Sequence, residues 1–252
     1  MSASFIKELD HPEVLLLGDS ILYHVQRYPH VLQGREVCNM CVPGQKSYRL
    51  HDDLDFVKDK ASHLLSPDHP YRQSNVRKIV VHIGTNDLPL YLENPGSISQ
   101  RLIDIIGLIQ DRIHRTSPTG SKSVYLLGLL PRQGKNDPET FLDDIKEINA
   151  LLEKHFRGQG IFIKPPRSLA DADGTIADHF FHTDKLHLSE EGLRKIFKCI
   201  FDFVDNPYNN VIKSFKTKKQ LDDCRFRRLR RRRLAEHRLE WCDNRRWSDW
   251  VF

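Results

Sequence analysis

The sequence has no run of 18 or more apolar residues, the length that a membrane-spanning helix requires. Its 252 residues include only five cysteines, an odd number in no recurring spacing, which argues against a disulfide framework. The first residues lack the basic start and the apolar stretch of a secretory signal. We therefore expect a protein of the cytoplasm or the nucleus.

Two of the cysteines, Cys38 and Cys41, form a C-x-x-C pair. No second pair of this kind is present to complete a zinc site. The simplest interpretation is two half-buried thiols in a reducing compartment. The sequence therefore predicts neither a metal ion nor another cofactor.

Charge is distributed unevenly along the chain. Its net charge is +5, and residues 213–252 contain 14 Lys+Arg against 6 Asp+Glu, so that residues 1–212 carry a net charge of −3. The contents of 39% hydrophobic and 29% charged residues are typical of a globular protein. We predict one folded domain over residues 1–212 and a basic C-terminal tail over residues 213–252.

The predicted tail contains a dense cluster of arginines interleaved with aromatic residues and leucines. The arginines are Arg225, Arg227, Arg228, Arg230, Arg231, Arg232 and Arg233. This density suits binding to a phosphate backbone, such as that of RNA, or to an acidic protein. It is also typical of a solvated or nuclear-targeting segment. Residues 213–220 are predicted to be the linker.

Short apolar runs alternate with longer segments of helical periodicity. The apolar runs lie near residues 13–17, 36–40, 78–83, 123–129 and 161–163. The segments with a one-sided apolar stripe lie near residues 97–116, 138–156 and 188–204. Several runs are apolar throughout, as strands covered on both faces are. This alternation predicts an α/β fold, with a flavodoxin-like parallel five-stranded sheet between helices and with strand 1 central.

Four blocks of small and polar residues fall at the carboxyl ends of predicted strands or in a late loop, where such sheets form their ligand crevice. Ser20 follows the first strand in GDSI, Gly44 follows the second, and Asn86 follows the third in GTND. The late loop contains Asp184 and His187 in the pattern DKLH. Each block alone is ordinary turn chemistry. Together they supply the parts of an acyl-transfer site.

The chemistry of acyl transfer assigns a role to each residue. A serine hydroxyl such as that of Ser20 becomes a nucleophile when an imidazole accepts its proton. His187 can be that base, and Asp184 can hold its other nitrogen and stabilise the imidazolium. The backbone N–H groups of Ser20 and Gly44 and the side-chain amide of Asn86 can bind the oxyanion.

Four other residues compete for these roles. His182 lacks a D-x-x-H partner, and His82 lies inside an apolar strand, where a core histidine with satisfied hydrogen bonds is expected. Asp19 is adjacent to the nucleophile and therefore badly placed to orient His187. Asp87 is expected to brace its own loop.

The four blocks, in this order, resemble those of the SGNH hydrolases, the superfamily of GDSL-type esterases and lipases. The resemblance covers residues 12–205, and the letters S, G, N and H correspond to Ser20, Gly44, Asn86 and His187. It implies a three-layer α/β/α sandwich and metal-free hydrolysis of a carboxylic ester through an acyl-enzyme. The first block departs from the family pattern only in having isoleucine where GDSL has leucine.

Two hypotheses of function follow. The first is a serine esterase that acts on a small-molecule, lipid or carbohydrate ester, with the tail determining its location. The second is a binding module on a hydrolase-like scaffold that recognises RNA or an acidic partner through the tail. The complete set of Ser20, Asp184 and His187 favours the first.

Overall fold

The computed structural model describes residues 13–55, 76–88, 94–116, 122–132, 138–170 and 176–206. All of these residues except Gly158–Gly160 belong to one compact unit. The predicted tail, its arginine cluster and the linker at 213–220 lie outside the described residues. The domain boundary at residue 212 therefore stays a prediction.

Five parallel strands form one sheet in the order β2-β1-β3-β4-β5. The strands are β1 (Val14–Gly18), β2 (Val37–Asn39), β3 (Lys78–His82), β4 (Ser123–Leu127) and β5 (Phe162–Ile163). This order confirms the predicted flavodoxin-like sheet. β1 is an interior strand between β2 and β3, one position from the edge, and β3 takes the central position expected for strand 1.

The described residues contain five α-helices and several short 3₁₀ segments. The helices are α1 (Ser20–Tyr23), α2 (Ser47–Asp55), α3 (Pro95–Thr116), α4 (Pro138–His155) and α5 (Glu190–Asp205). The 3₁₀ segments are His24–Arg27, Pro29–Leu32, Arg167–Leu169 and Asp178–Phe180. The three helices predicted from periodicity are α3, α4 and α5.

The side chains of each strand alternate between two apolar cores, one on each face of the sheet. Residues of α2, α3 and α4 pack in one core, and residues of α1 and α5 pack in the other. The predicted stripe of α3 is buried and consists of Leu102, Ile105, Ile106, Ile109 and Ile113. Because both faces are covered, the strands can be apolar at every position, and their runs show no alternation.

The two cysteines of the C-x-x-C pair lie in different cores. Cys38 belongs to the core of α2, α3 and α4, whereas Cys41 belongs to the core of α1 and α5. Both are free thiols and fully buried rather than half-buried. Burial also raises the pKa of the Cys41 thiol well above its usual range.

The described part of the chain has neither a candidate metal cluster nor a candidate membrane span. It contains no group of three or more His, Cys, Asp or Glu residues arranged to hold a metal ion. None of its helices combines the length and the apolar character needed to cross a membrane.

The end of β1 approaches β3 so closely that only glycine fits there. Gly18 has φ +155°, and a Cβ atom at this position would lie 1.9 Å from the carbonyl oxygen of His82. The next residue, Asp19, donates its N–H to the same oxygen at 3.2 Å. This close approach turns the chain out of the sheet and into the helix that begins at Ser20.

We expect Gly18→Ala to destabilise the protein by at least about 2 kcal/mol, because a methyl group cannot occupy the position of a backbone oxygen. Gly107 in α3 provides the matched control, since a Cβ atom there would meet nothing within 4 Å. Gly107→Ala should stabilise the protein by about 0.5–1 kcal/mol through helix propensity. Urea unfolding measures both, and equal effects would contradict the close approach.

Candidate active site

Ser20 is the first residue of a four-residue helix, α1, that is fixed at both ends. Asp19 caps its start, where its Oδ1 atom accepts the N–H of the residue after Ser20 at 3.0 Å. Asn39, at the end of β2, donates from Nδ2 to the carbonyl oxygens of Leu22 and Tyr23, each at 3.2 Å. The nucleophile candidate is therefore held by the carboxyl ends of two neighbouring strands.

The D-x-x-H pattern forms a tight turn and not a turn of helix. Oδ1 of Asp184 accepts the backbone N–H groups of Leu186 and His187, both at 2.9 Å. Lys185 adopts the left-handed conformation, with φ +52°. His182 is exposed, and its backbone N–H closes the turn on the His187 carbonyl at 2.8 Å. This turn leaves the other carboxylate oxygen, Oδ2 of Asp184, 2.6 Å from Nδ1 of His187.

The fold brings this pair to Ser20. Nε2 of His187 lies 3.1 Å from Oγ of Ser20, across 167 residues of sequence. With Nδ1–H donating to Asp184, Nε2 has its lone pair directed to accept from the hydroxyl. Ser20 is 7% exposed, whereas the side chains of His187 and Asp184 are 24% and 46% exposed. The hydrogen-bond chain is thus open to solvent from the side of the acid.

Local hydrogen bonds set the charge state of the acid. Burial raises the pKa of Asp184, but the hydrogen bonds from His187 and from the Leu186 N–H outweigh it and lower the pKa to about 2. The carboxylate therefore stays ionised throughout the pH range in which an imidazole gains or loses its proton.

A second imidazole, that of His24, lies against His187. The two ring centroids are 4.7 Å apart, and the ring planes are perpendicular at 90°. Burial lowers the pKa of His24, and positive charge on His187 lowers it further. His24 was not predicted as a site residue from the sequence, although it follows Ser20 by four residues, about one helical turn. The His24 ring packs edge to face with the ring of the base.

Hydrogen bonds also join the loops of Gly44 and Asn86 to the Ser20 turn. Beyond β2, the N–H of Val42 donates to the carbonyl of Gly18 at 2.8 Å, so the Gly44 loop continues alongside β1. Gly44 has φ +74°, a conformation that favours glycine. Nδ2 of Asn86 donates to the carbonyl of Gln45 at 3.1 Å. An amide nitrogen carries two hydrogens, so this bond leaves one for a ligand.

Asp87 braces the neighbouring loop, that of Gly44, where its own loop was expected. Its two carboxylate oxygens accept the N–H of Ser47 at 3.0 and 3.2 Å. Ser47 begins α2 directly after the Gly44 loop, so the two loops are joined a second time. This role differs from the expected one because the partner lies 40 residues away in the sequence.

A group of buried charged residues lies beside the Ser20 turn. Asp19 and His82 are fully buried, and Arg132 is 8% exposed. Burial raises the pKa of Asp19, and the charges of His82 and Arg132 oppose that rise. Nδ1 of His82 faces the Leu127 carbonyl at 3.4 Å, but Nε2 has no partner among the described residues, so this core histidine is only partly satisfied.

Arg132 and Asn39 were not predicted as site residues from the sequence. Arg132 donates from Nη1 to the carbonyl of Thr85 at 2.6 Å. Arg132 follows β4 and Asn39 is the last residue of β2, so both lie at the edge of the sheet where the other site residues lie. Their place at the carboxyl ends of strands could have marked them as site residues in the sequence. Arginine and asparagine are, however, too common in loops for this place to distinguish them.

The sequence matches the GDSL-like Lipase/Acylhydrolase family over residues 16–195. This region is more than half of the chain, and the chain belongs to that family. It is thereby a carboxylic ester hydrolase. No curated protein matches the sequence.

Solved structures share the fold at low sequence identity. A GDSL-like lipase from Bacteroides thetaiotaomicron is 16% identical, with a TM-score of 0.57 over 77% of this chain and 87% of that one. Est24, a carbohydrate acetylesterase from Sinorhizobium meliloti, is 17% identical, with a TM-score of 0.54 over 77% and 98%. The inhibitor-bound aryl esterase of M. smegmatis is 16% identical, with a TM-score of 0.54 over 77% and 99%. At these identities the likeness establishes the fold.

The lowered pKa of Asp184 predicts a loss of stability in acid. Its pKa is about 2 in the folded protein against an ordinary value of 3.8, so the ionised carboxylate contributes stability above about pH 4. This contribution is lost as the pH falls from about 4 to about 2.

Urea unfolding of wild type and Asp184→Asn at several pH values measures this loss. The difference in unfolding free energy between the two should be constant above about pH 5 and should shrink below about pH 4. Asp143→Asn, on the exposed side of α4, controls for the loss of a surface carboxylate. A difference between wild type and Asp184→Asn that grows in acid would contradict the assignment.

Proposed function

We propose that the chain hydrolyses its ester through a covalent acyl-enzyme on Ser20. The observation that carries the proposal is the continuous hydrogen-bond chain from Oδ2 of Asp184 through His187 to Oγ of Ser20, at 2.6 and 3.1 Å. As Oγ attacks the ester carbonyl, Nε2 of His187 takes the hydroxyl proton. Asp184 holds Nδ1–H and stabilises the imidazolium that forms.

The tetrahedral intermediate carries a negative oxygen that needs fixed donors. We assign this role to the backbone N–H groups of Ser20 and Gly44 and to the side-chain amide of Asn86. The bonds that join these three segments support the assignment: Val42 to Gly18 at 2.8 Å and Asn86 to Gln45 at 3.1 Å. Donors fixed in this way need no reorganisation when charge develops.

Collapse of the intermediate breaks the bond to the alcohol, which leaves with the proton that His187 donates. Water then enters, and His187 takes one of its protons while the oxygen attacks the acyl group on Ser20. The second collapse releases the carboxylic acid and returns the proton to Oγ. The reaction consumes one ester and one water and uses no cofactor.

The substrate class proposed is a small-molecule, lipid or carbohydrate ester. The names of two structural neighbours, a carbohydrate acetylesterase and an aryl esterase, make acetyl esters of sugars and of phenols the first to assay. A binding role for the arginine cluster of the tail stays a separate prediction, because that segment lies outside the described residues.

Covalent labelling tests the nucleophile. A fluorophosphonate probe should label the wild type, and Ser20→Ala should abolish the labelling because the hydroxyl that His187 activates is removed. Ser123→Ala, at the exposed start of β4, is the matched control and should label as the wild type does. Equal labelling of Ser20→Ala and wild type would remove Ser20 from the mechanism.

Substitution of Asn86 tests the oxyanion site. Asn86→Ala should lower kcat by about 10²–10³-fold while KM changes little, because the lost donor acts mainly in the transition state. Asn206→Ala, just beyond α5, serves as the control for loss of an exposed amide. An unchanged kcat in a folded Asn86→Ala protein would make Asn86 a loop residue only.

A further inference from the structure

Arg132 connects the loop of Asn86 to the turn of Ser20. It follows β4 and is 8% exposed, and its Nη1 atom donates to the carbonyl of Thr85 at 2.6 Å. Thr85 is itself buried and directly precedes Asn86. The position of the Asn86 backbone is therefore fixed in part from β4, a strand that contributes none of the residues assigned to the mechanism.

The positive charge of Arg132 also favours the ionised form of Asp19, the residue before the nucleophile. Asp19 caps the helix of Ser20 and is fully buried, so its carboxylate requires a positive neighbour. Burial lowers the pKa of Arg132, and the carboxylates of Asp19 and Asp184 oppose that change. One guanidinium thus interacts with the residue that caps the nucleophile helix and with the proposed acid.

We propose that Arg132 is a positioning residue of this site, one that holds the Thr85–Asn86 segment in register with the Ser20 turn. The inference rests on the proposed roles of Ser20 and Asn86. Arg132 acts through those residues, because its Nη1 atom donates to the backbone carbonyl that directly precedes Asn86. A guanidinium suits this role because it keeps its charge when buried and donates in several fixed directions.

A purely structural role for Arg132 makes a different prediction. If Arg132 only compensates a buried charge, its replacement lowers stability and leaves kcat of the folded fraction unchanged. If it positions Asn86, its replacement lowers kcat, and the loss is not additive with the loss of Asn86 itself. A double-mutant cycle separates the two cases.

The experiment uses the full chain, with p-nitrophenyl acetate as the probe ester and Ser20→Ala as the blank. Arg132→Met should lower kcat by about 10–10²-fold with KM changed less than about twofold, because the oxyanion donor is displaced. In the Asn86→Ala background the same change should lower kcat less than about threefold. Arg132→Lys should recover much of the loss, since an ammonium can donate to Thr85 and face Asp19.

Two further variants complete the design. Arg194→Met, which removes an exposed arginine paired with Glu190 on α5, is the matched control and should keep wild-type kcat. If Arg132→Met leaves Asp19 uncompensated and fails to fold, Asp19→Asn combined with Arg132→Met removes both charges. The folded double variant should still show the reduced kcat, because the Thr85 bond remains lost.

The outcomes are distinguishable. Turnover that depends on Ser20 but is unchanged in folded Arg132→Met, or in the Asp19→Asn pair, overturns this inference and leaves the proposed function standing. Fully additive losses in the cycle with Asn86→Ala also overturn it. A wild type without Ser20-dependent turnover or labelling overturns the proposed function and this inference together.

Discussion

The site depends on the close approach of two strand ends. Gly18 lies so near the end of β3 that a Cβ atom would sit 1.9 Å from the carbonyl oxygen of His82, and Asp19 bonds to that oxygen. This contact directs the chain out of β1 into the helix of Ser20. Three features of the site contact that turn: the Asp19 cap, the loop of Gly44 that bonds to Gly18, and the imidazole that reaches Oγ.

The turn after Gly18 also brings an acidic side chain, that of Asp19, into the interior. Asp19 caps the nucleophile helix from a fully buried position, an environment that raises its pKa. Such a carboxylate is costly unless positive groups face it. Arg132 is such a group, and it also bonds to the loop of Asn86. One side chain, that of Arg132, therefore both compensates the charge of Asp19 and bonds to the loop of Asn86.

Some hydrogen bonds of the site join residues close in the sequence, and others join residues far apart. Asp184 and His187 form their hydrogen bonds within four residues, through an acid that accepts two backbone N–H groups and the ring. This unit could be predicted from its spacing, because a turn this short leaves the two side chains few alternatives. Ser20 joins it only across 167 residues, through the packing of α5 and its preceding loop on the sheet.

The sequence by itself predicted a parallel five-stranded sheet, three of the helices and the residues Ser20, Asp184 and His187, which the structure joins by hydrogen bonds. Apolar runs, helical periodicity and the positions of small residues after strands are properties of short segments, so they can be recognised in the sequence alone. Only the tertiary structure decided that Asp87 braces Ser47, that Asn39 holds α1 and that Arg132 reaches Thr85. Each of these bonds joins segments far apart in the chain, and no local pattern encodes which distant carbonyl or N–H a polar side chain will meet.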